Sequence, residues 1–502
     1  PEGMAARSHI LALDLGTSSL KAQAFDPAGH PLASTTATYP TSRPAARAAE
    51  QDPDDWWRAA RDVIAKLLSQ PELAGSQPIA IGLSGQMHGV VVHDVRGRVI
   101  RACLTWADER GSDRLDSLST RVDPGRVLAI TGNPLNAGFS AAKLDWLRSN
   151  EPDVWRSVAT ILFPKDELRL RRTGEIATDP SDASGSLLLD LSTRTWSDEL
   201  ADAWGIDVAA LPQILPSAAV AGSLRPRAGA ELGLQPGIPV AIGAGDTPAA
   251  ALGLAVDSGT DGAGMLGIGT AAQLLVTGPA PMIDPLGRLN ALCHAAPDAW
   301  CAMAAVLDGG GALAWIRSVV GGSDEPIDRL LSEAELVPVG AEGLTFLPHL
   351  SGERTPGMDA AVRASFIGLT PRHGRAHLVR AVLEGVAYSL REGFEVLREA
   401  GIAPTALRMT GTPAGSIAWV RILADVLGVG ISLSDVGQAS ARGAGLLAAT
   451  ALDASASTTW GQALGHSLGF VEPSAEGQTR YDHGFETYLR LREALRRSGL
   501  TP

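Results

Sequence analysis

A glycine- and hydroxyl-rich segment near the start of the chain has the composition of a phosphate-binding turn. Asp14 ends an apolar run and is followed by Gly16-Thr17-Ser18-Ser19, with Lys21 close behind. Backbone N–H groups, hydroxyls and a nearby lysine can cradle a phosphate, and an adjacent carboxylate can hold the accompanying Mg2+. The segment is not a Walker loop, because the pattern G-x-x-x-x-G-K-[ST] does not occur. On its own it fits an ordinary tight hairpin turn equally well.

A second carboxylate follows another apolar run in the middle of the chain. Asp246 lies in Gly243-Ala-Gly245-Asp246-Thr247-Pro248, directly after a strand predicted at Pro239–Ile242. Ligands of open α/β sheets collect at the carboxyl ends of strands, where a carboxylate can accept the proton of a hydroxyl during phosphoryl transfer. The alternative is that Asp246 caps a helix over Thr247–Leu254, and the pattern alone slightly favours this cap.

Three further segments combine glycine with the possibility of ligand contact. In Ser84-Gly85-Gln86-Met87-His88-Gly89 the histidine can bond a polyol hydroxyl or a carbonyl, although a lone histidine is more often structural. The turns Gly309–Gly311 and Gly411–Gly415 allow close approach to a backbone, or simply cap elements.

Short apolar runs that alternate with amphipathic segments must position these residues. A hairpin is predicted over His9–Leu15 and Leu20–Phe25. Further strands are predicted at Ile79–Leu83, Val90–His93, Pro239–Ile242, Met265–Ile268, Leu274–Val276, Leu344–Leu347 and Ala406–Met409. Helices are predicted at Trp56–Leu68, Ala141–Leu147, His377–Glu399 and Asp482–Arg497. This alternation favours an α/β architecture in which helices cover the sheets.

The first turn is echoed later in the chain. Asp14-x-Gly16-Thr17 corresponds to Gly267-Ile-Gly269-Thr270, and both segments join two apolar runs. Two similar α/β halves would enclose a cleft, which is a favoured place for a small-molecule site. We expect the boundary near Asp246–Gly253.

Length and charge exclude several classes of protein. The 502 residues suggest at least two domains at roughly 100–200 residues each. The net charge of −13 argues against a nucleic-acid partner.

Cys103, Cys293 and Cys301 form no CxxC pair, which favours free thiols in the cytoplasm. The uncharged window Gly262–Ile283 is broken by glycine and proline, so we predict no membrane association. The sequence leaves the oligomeric state open, and a homodimer is among the alternatives.

An ordered set of motifs makes the chain similar to the FGGY carbohydrate kinases along nearly its whole length. The matching segments are Glu50-Gln-Asp-Pro53 with Trp56-Trp57, Ser84–Gly89, Thr131–Asn136 with Lys143-Leu-x-Trp146, Pro164-Lys-Asp166, Thr178–Gly185, Leu350–Pro356, Ala364-x-Phe366-x-Gly368-Leu369 with His377–Glu384, and Ala441-Arg-Gly443. The resemblance implies two actin-like (ribonuclease-H-like) domains around an inter-domain catalytic cleft. It divides the chain into residues 1–247, with the sugar site, and 248–502, with the nucleotide site.

The resemblance also implies roles for individual residues. Asp246 matches the catalytic base, which also contacts the sugar, and Asp14 matches the catalytic position that holds Mg2+. The sugar-binding positions are Met87, His88, Trp106 and Asp108. The positions that bind ATP are Thr17, Ser18, Ser19, Lys21, Gly269, Thr270, Gly310 and Gly411.

Within the family the motifs most resemble the branch that phosphorylates the terminal hydroxyl of D-xylulose. Three positions depart from that pattern: Ala107 stands where asparagine is usual, Thr247 replaces another asparagine, and Thr412-Pro413 replaces two glycines. Ala107 is more typical of gluconate kinases. The alternatives are therefore a kinase for another pentulose, a hexulose or a sugar acid, or a catalytically weak sugar sensor.

Overall fold

The computed structural model describes residues 8–257, 262–322, 325–359, 361–411, 416–434, 438–463 and 467–498. Strands of the first half are β1 (Ser8–Leu15), β2 (Ser19–Phe25), β3 (Pro31–Thr38), β4 (Glu50–Gln51), β5 (Gln77–Gly85), β6 (Val91–His93), β7 (Cys103–Leu104), β8 (Thr160–Leu162), β9 (Ala177–Thr178), β10 (Leu189–Asp190), β11 (Thr195–Trp196), β12 (Gln213–Ile214), β13 (Val220–Ser223), β14 (Pro239–Ala241) and β15 (Ala244–Gly245). Helices of this half are α1 (Pro53–Leu68), α2 (Leu115–Arg121), α3 (Pro124–Thr131), α4 (Ser140–Asn150), α5 (Pro152–Trp155), α6 (Pro164–Thr173), α7 (Pro180–Ala183), α8 (Asp198–Trp204), α9 (Pro226–Leu232) and α10 (Asp246–Gly253).

The second half continues the alternation of strands and helices. Its strands are β16 (Ala263–Ile268), β17 (Ala272–Gly278), β18 (Asn290–Cys293), β19 (Trp300–Val306), β20 (Thr345–Leu347), β21 (Ser365–Ile367), β22 (Ala406–Gly411), β23 (Gly430–Ser434) and β24 (Ser467–Val471). Its helices are α11 (Gly310–Val320), α12 (Ile327–Glu335), α13 (Arg375–Glu399), α14 (Ile417–Leu427), α15 (Ala439–Leu452), α16 (Ala456–Ala463) and α17 (Ala475–Ser498).

Two mixed sheets with the same core plan form the centres of the two domains. The first has the order β13-β14-β5-β1-β2-β3, and the second β18-β19-β17-β16-β22-β23-β24. In each, an antiparallel hairpin (β1–β2 or β16–β17) is extended by a parallel strand beside its first member, β5 or β22. The predicted echo between the halves is thus confirmed, as is the two-domain α/β architecture.

The register of the first sheet gathers polar residues at one edge. Asp14 pairs with Lys21 on β2 and with Ser84 on β5. On the other side of β5, Gly245 of β15 pairs with Gly85. Since parallel strands end at the same edge, the chain ends of β1, β5 and β15 lie side by side, and α10 starts there.

Helices cover both faces of the first sheet, which explains why β1 is apolar at most positions. One face packs against α1 in a core that includes Leu11, Leu13 and Trp56. The other face packs against α15, which belongs to the second half of the chain, through Ile10 and Ala444. Gly82 of β5 is needed here, because a Cβ at that position would lie 1.9 Å from the carbonyl oxygen of Ala444.

Helices α10 and α15 cross through small residues between the domains. A Cβ on Gly253 would lie 2.0 Å from the carbonyl oxygen of Ala439, and one on Gly443 would lie 1.9 Å from that of Ala249. The two helix backbones therefore approach more closely than any larger residue at these positions would allow.

Most predicted elements are confirmed within a few residues at their ends. The helix that begins after Gly245 differs from the prediction: α10 starts at Asp246 itself, so the alternative in which Asp246 caps a helix from Thr247 is wrong. The C-terminal helix α17 packs on its own domain through Tyr481, Phe485 and Tyr488. Thr412 and Pro413 lie outside the described residues. In the described ranges, no helix is both long and apolar enough to cross a membrane.

Candidate functional site

The turn between β1 and β2 is a rigid, partly exposed loop. The Gly16 N–H donates to the Ser19 carbonyl at 3.0 Å, and the Tyr39 hydroxyl donates to the Gly16 carbonyl. The Gln51 amide donates to the Thr17 carbonyl at 2.6 Å. Ser18 is exposed at the tip of the turn. Hydrogen bonds therefore hold the base of the loop, and its tip is exposed.

Asp14 is a buried carboxylate beside this turn. Its side chain is 6% exposed and accepts a hydrogen bond from the Ser84 hydroxyl at 2.9 Å. Burial raises the pKa of Asp14, whereas the Lys21 ammonium and the Ser84 hydroxyl oppose that shift. A nearby cation stabilises the ionised form of such a buried carboxylate.

Asp246 occupies the first turn of α10 at the same edge of the sheet. Its Oδ1 accepts from the Thr247 N–H at 2.7 Å and from the Thr247 hydroxyl at 3.4 Å. Burial, together with the negative charge of Asp14, raises the pKa of Asp246 to about 7. Thr247, which departs from the usual asparagine, thus orients the carboxylate. A link to the other domain comes from Gln273 of β17, whose amide donates to the Thr247 hydroxyl at 3.5 Å.

A fully buried polar cluster fixes the backbone just before Asp246. The Gly245 N–H donates to the Ser181 hydroxyl oxygen at 3.0 Å, and the Ser181 hydroxyl donates to Asp179 at 2.5 Å. Lys165 lies 3.0 Å from Asp179 and 3.3 Å from Asp182. The matching Pro164-Lys-Asp166 and Thr178–Gly185 motifs therefore support the Asp246 loop from below.

His88 is held in one orientation beside this loop. Its φ of 64° is left-handed. Its Nδ1–H donates to the Gly185 carbonyl at 2.7 Å, and its ring meets that of Phe139 edge-on at 4.6 Å. Burial lowers the pKa of His88 to about 3, so the ring is neutral and Nε2 is an acceptor. Met87 is 4% exposed and packs close to Gly245, where a Cβ would lie 2.6 Å from its sulfur.

Trp106 and Asp108 follow β7 directly and differ in accessibility. The Trp106 indole N–H donates to the Thr17 hydroxyl at 2.9 Å, which joins Trp106 to the first turn. Asp108 is 1% exposed and accepts from the Ala49 N–H at 2.9 Å and from the Arg110 guanidinium at 2.7 Å. Its oxygens are thus engaged within the protein, and its direct contact with a sugar stays a prediction.

The second domain supplies a matching turn between β16 and β17. The Gly269 N–H donates to the Ala271 carbonyl at 2.9 Å, which parallels the bond across the first turn. Gly310 donates to the Gly269 carbonyl at 2.8 Å. Gly411, with φ 105°, pairs with Ile268, and a Cβ on it would lie 2.1 Å from the Ile268 carbonyl. These residues meet beside exposed Thr270. Glycine is required at Gly310 and Gly411, where a Cβ would lie 2.6 Å and 2.1 Å from a backbone carbonyl oxygen.

Arg354 is a residue of this site that the sequence reasoning did not assign a role. It belongs to the second domain, yet its charge acts on His88 and Lys143 of the first. A Cβ on Gly138 would lie 3.5 Å from its Nη2. Arg354 lies in the Leu350–Pro356 motif, so the sequence does mark this segment. The motif does not indicate which of its side chains lies near the other domain.

The donor set at the strand ends suits Mg2+ shared with a nucleotide. In the described part of the chain, no group of three or more His, Cys, Asp or Glu side chains could hold a metal by itself. Mg2+ commonly takes one or two carboxylates, with substrate phosphates and water completing its shell. Asp14, buried beside Asp246 with a raised pKa, fits that role.

The two domains match known family models in chain order. The model of the N-terminal domain of the FGGY family of carbohydrate kinases matches residues 9–253, and the model of the C-terminal domain matches residues 264–452. The chain belongs to the FGGY family of carbohydrate kinases. It is therefore a carbohydrate kinase with the actin-like two-domain fold, and its phosphoryl donor is ATP.

Individual FGGY relatives are similar over most of their length. The chain is 36% identical to the xylulose kinase of Escherichia coli (strain K12), over 83% of this chain and 84% of that protein. A crystal structure of a xylulose kinase from Brucella ovis matches with a TM-score of 0.89 and 36% identity, over 97% of this chain and 99% of the other. A gluconate kinase from Lactobacillus acidophilus matches with a TM-score of 0.90 and 27% identity, over 97% and 98% of the chains.

Proposed function

We propose that this FGGY kinase transfers the γ-phosphoryl group of ATP to the terminal hydroxyl of D-xylulose, giving D-xylulose 5-phosphate and ADP. The observation that carries the reaction is the pairing of Asp246 and Asp14 at one sheet edge between two phosphate-type turns. The similarity to xylulose kinases over more than four-fifths of the chain supports the choice of sugar.

Asp246 acts as the general base in this proposal. Ionised Asp246 accepts the proton of the sugar hydroxyl as its oxygen bonds to the γ-phosphorus and the bond to the ADP oxygen breaks. The two Thr247 hydrogen bonds keep the carboxylate oriented. The protein contributes mainly position and charge in such transfers.

Asp14 would hold Mg2+, which when bound neutralises phosphate charge. Lys21 and the N–H groups of the first turn would face one part of the triphosphate, and Gly269 and Thr270 another. Because these turns belong to different domains, closure would complete the site and exclude water. The buried, uncharged thiols of Cys103, Cys293 and Cys301 suit the reducing cytoplasm, where ATP is abundant.

His88 would accept a hydrogen bond from a sugar hydroxyl through Nε2, because Nδ1–H is committed to Gly185. Trp106 would form a side wall of the same pocket. Both residues are partly exposed. His88 is held by its hydrogen bond to Gly185 and Trp106 by its hydrogen bond to Thr17.

The test is ADP formation by the purified protein with MgATP and D-xylulose, compared with D-ribulose, L-fuculose, gluconate and no sugar. We expect D-xylulose to give the highest kcat/KM. A higher value for another acceptor would retain the kinase chemistry and reassign the sugar. The absence of turnover with every acceptor would contradict the proposal as a whole.

A sugar acid is the second candidate substrate, because two observations favour it. Ala107 replaces the asparagine usual in kinases of D-xylulose. In addition, the Arg354 guanidinium lies near His88, where it could pair with a carboxylate. Gluconate in the panel decides this point, since a carboxylate-dependent rate above that of D-xylulose would favour the sugar acid.

A further inference from the structure

A charged cleft lies in the second domain at the base of the loop that carries Arg354. Strands β20 and β21 pair antiparallel, and the 348–364 loop joins them. The cleft has a cavity volume of about 60 Å3 and is lined by both strands, this loop and α17. Neither phosphate turn contributes to its lining, so the cleft is separate from the catalytic site.

Positive groups predominate on the cleft wall. Arg363, Arg492 and Arg496 line it, and Glu353 is the carboxylate that faces them. Arg492 lies 3.1 Å from Glu353 and also bonds Glu392 behind the wall. Burial raises the pKa of Glu353 and raises that of Glu392 to about 7, while the Arg492 guanidinium opposes both shifts. Asp359 is a further negative group near the cleft, and its charge also raises the pKa of Glu353.

Two polar groups of the cleft lack partners among the described residues. His349 is 4% exposed, and its Nε2 is buried without a hydrogen bond. Arg496 is exposed on α17, and although its charge reaches Glu353, none of the ion pairs in the described ranges includes it. A buried polar atom without a partner is costly unless a ligand or water satisfies it.

We propose that this cleft is a second binding site, specific for a compact oxyanion of the phosphate class. Arg363 and Arg496 would bind the oxyanion from the open side, because guanidinium groups match phosphate oxygens in pairs. Arg492 forms the floor, and His349 supplies a hydrogen bond from within the wall. The phosphate group is either free inorganic phosphate or part of a phosphate monoester.

The test measures phosphate binding without turnover. Calorimetric titration of inorganic phosphate into the full-length protein is done with a non-hydrolysable MgATP analogue filling the catalytic cleft. The variant is Arg496→Gln, which changes an exposed side chain. The matched control is Arg497→Gln, since Arg497 is the next residue of α17, is 78% exposed and pairs with Glu493 outside the cleft. A second titration uses glucose 6-phosphate and separates a monoester from the free ion.

We expect saturable phosphate binding to the wild type and to Arg497→Gln, and at least about tenfold weaker binding to Arg496→Gln, as for the loss of a charge-assisted hydrogen bond. Tighter binding of the monoester than of inorganic phosphate would identify the ester as the preferred form. Equal affinity in Arg496→Gln and the wild type would overturn the proposal, as would the lack of binding up to roughly 10 mM of either compound. Since no step requires sugar turnover, failure here is distinct from failure of the proposed kinase reaction.

Discussion

At the scale of single residues, two carboxylates share one edge of the first sheet and repel each other. Asp14 and Asp246 are both shifted toward the protonated form by burial, and the charge of Asp14 adds to the shift of Asp246. A pKa of about 7 places Asp246 where a general base works best near neutral pH. The same repulsion makes the pair receptive to a divalent cation.

Replacement of the base tests its role most directly. We expect Asp246→Asn to lower kcat by about 10²-fold or more, while the Kd of the sugar changes only a few-fold, because the amide keeps the shape but cannot take the proton. Steady-state rates and sugar titration measure both quantities. Asp116→Asn, on the exposed surface of α2, is the control. A near-normal kcat in Asp246→Asn would remove Asp246 from the chemistry.

The pH dependence follows from the raised pKa. Because the base is active when ionised, kcat/KM for the sugar should increase with pH and reach half of its plateau near pH 7. Asp14→Asn removes the negative charge that adds to the effect of burial on the pKa of Asp246, so the residual activity of that variant should reach its half-plateau at lower pH. Rate profiles between pH 5 and 9 check this. An unmoved midpoint in Asp14→Asn would show that the two carboxylates are not coupled.

Residues that support the site from a distance in sequence were the hardest to predict. The motif positions Asp14, His88 and Asp246 were identifiable because each lies in a short segment with a distinctive composition. Tyr39 and Gln51 act on the first turn through contacts that span more than 20 residues. The segment around Tyr39 shows no such signal, and the Glu50–Pro53 motif that contains Gln51 does not indicate which turn Gln51 contacts. Arg354 is an extreme case, because its neighbours are in the other domain.

At the scale of elements, the long regular segments were predictable and the short strands were not. Helix α13 carries apolar residues every three or four positions along one continuous face, and β1 is apolar at most positions, so both patterns were clear. Strands such as β9 and β12 have two residues each and pair only because the surrounding loops bring them together. The start of α10 at Asp246 was also missed, since the Ser181 hydrogen bond that fixes Gly245 is non-local.

The crossing of α10 and α15 gives a test at this scale. Gly443→Ala should destabilise the protein by about 1–3 kcal/mol, because its Cβ would overlap the Ala249 carbonyl and separate the helices. Gly461→Ala in α16 is the matched control, since nothing lies within 4 Å of its Cβ, and this change should be neutral or stabilise by up to about 1 kcal/mol. Thermal unfolding compares the two. Equal melting temperatures would mean that the crossing tolerates separation.

At the scale of the whole molecule, the catalytic cleft depends on contacts that cross between domains. Gln273 bonds Thr247 beside the base, and Arg354 reaches the histidine wall of the first domain. If His88 binds the sugar as proposed, residues of both halves of the chain surround it. Binding of the sugar should draw the domains together, as in other enzymes that close around a substrate.

Arg354 provides the corresponding prediction. Arg354→Gln should raise the KM for the sugar about tenfold, since the guanidinium charge that acts near His88 is lost, and should leave the KM for MgATP within about twofold. Steady-state kinetics with each substrate varied in turn separates the two. Arg372→Gln, on the exposed surface of the same domain, is the control. A rise in the KM for MgATP alone would place Arg354 at the nucleotide instead.

Helix α15 has a consequence for how the protein is made. The strands of the first sheet are complete when Gly245 has been synthesised, but one of their faces, with Ile10 and Ala80, is covered by a helix that begins at Ala439. During translation the emerging N-terminal half therefore carries an uncovered apolar surface until the ribosome has passed Leu452. Domains that fold in sequence on the ribosome do not have this interval of exposure. The nascent chain of this kinase therefore exposes this apolar face between the synthesis of Gly245 and that of Leu452, and a ribosome that stalls before Ala439 releases an aggregation-prone fragment.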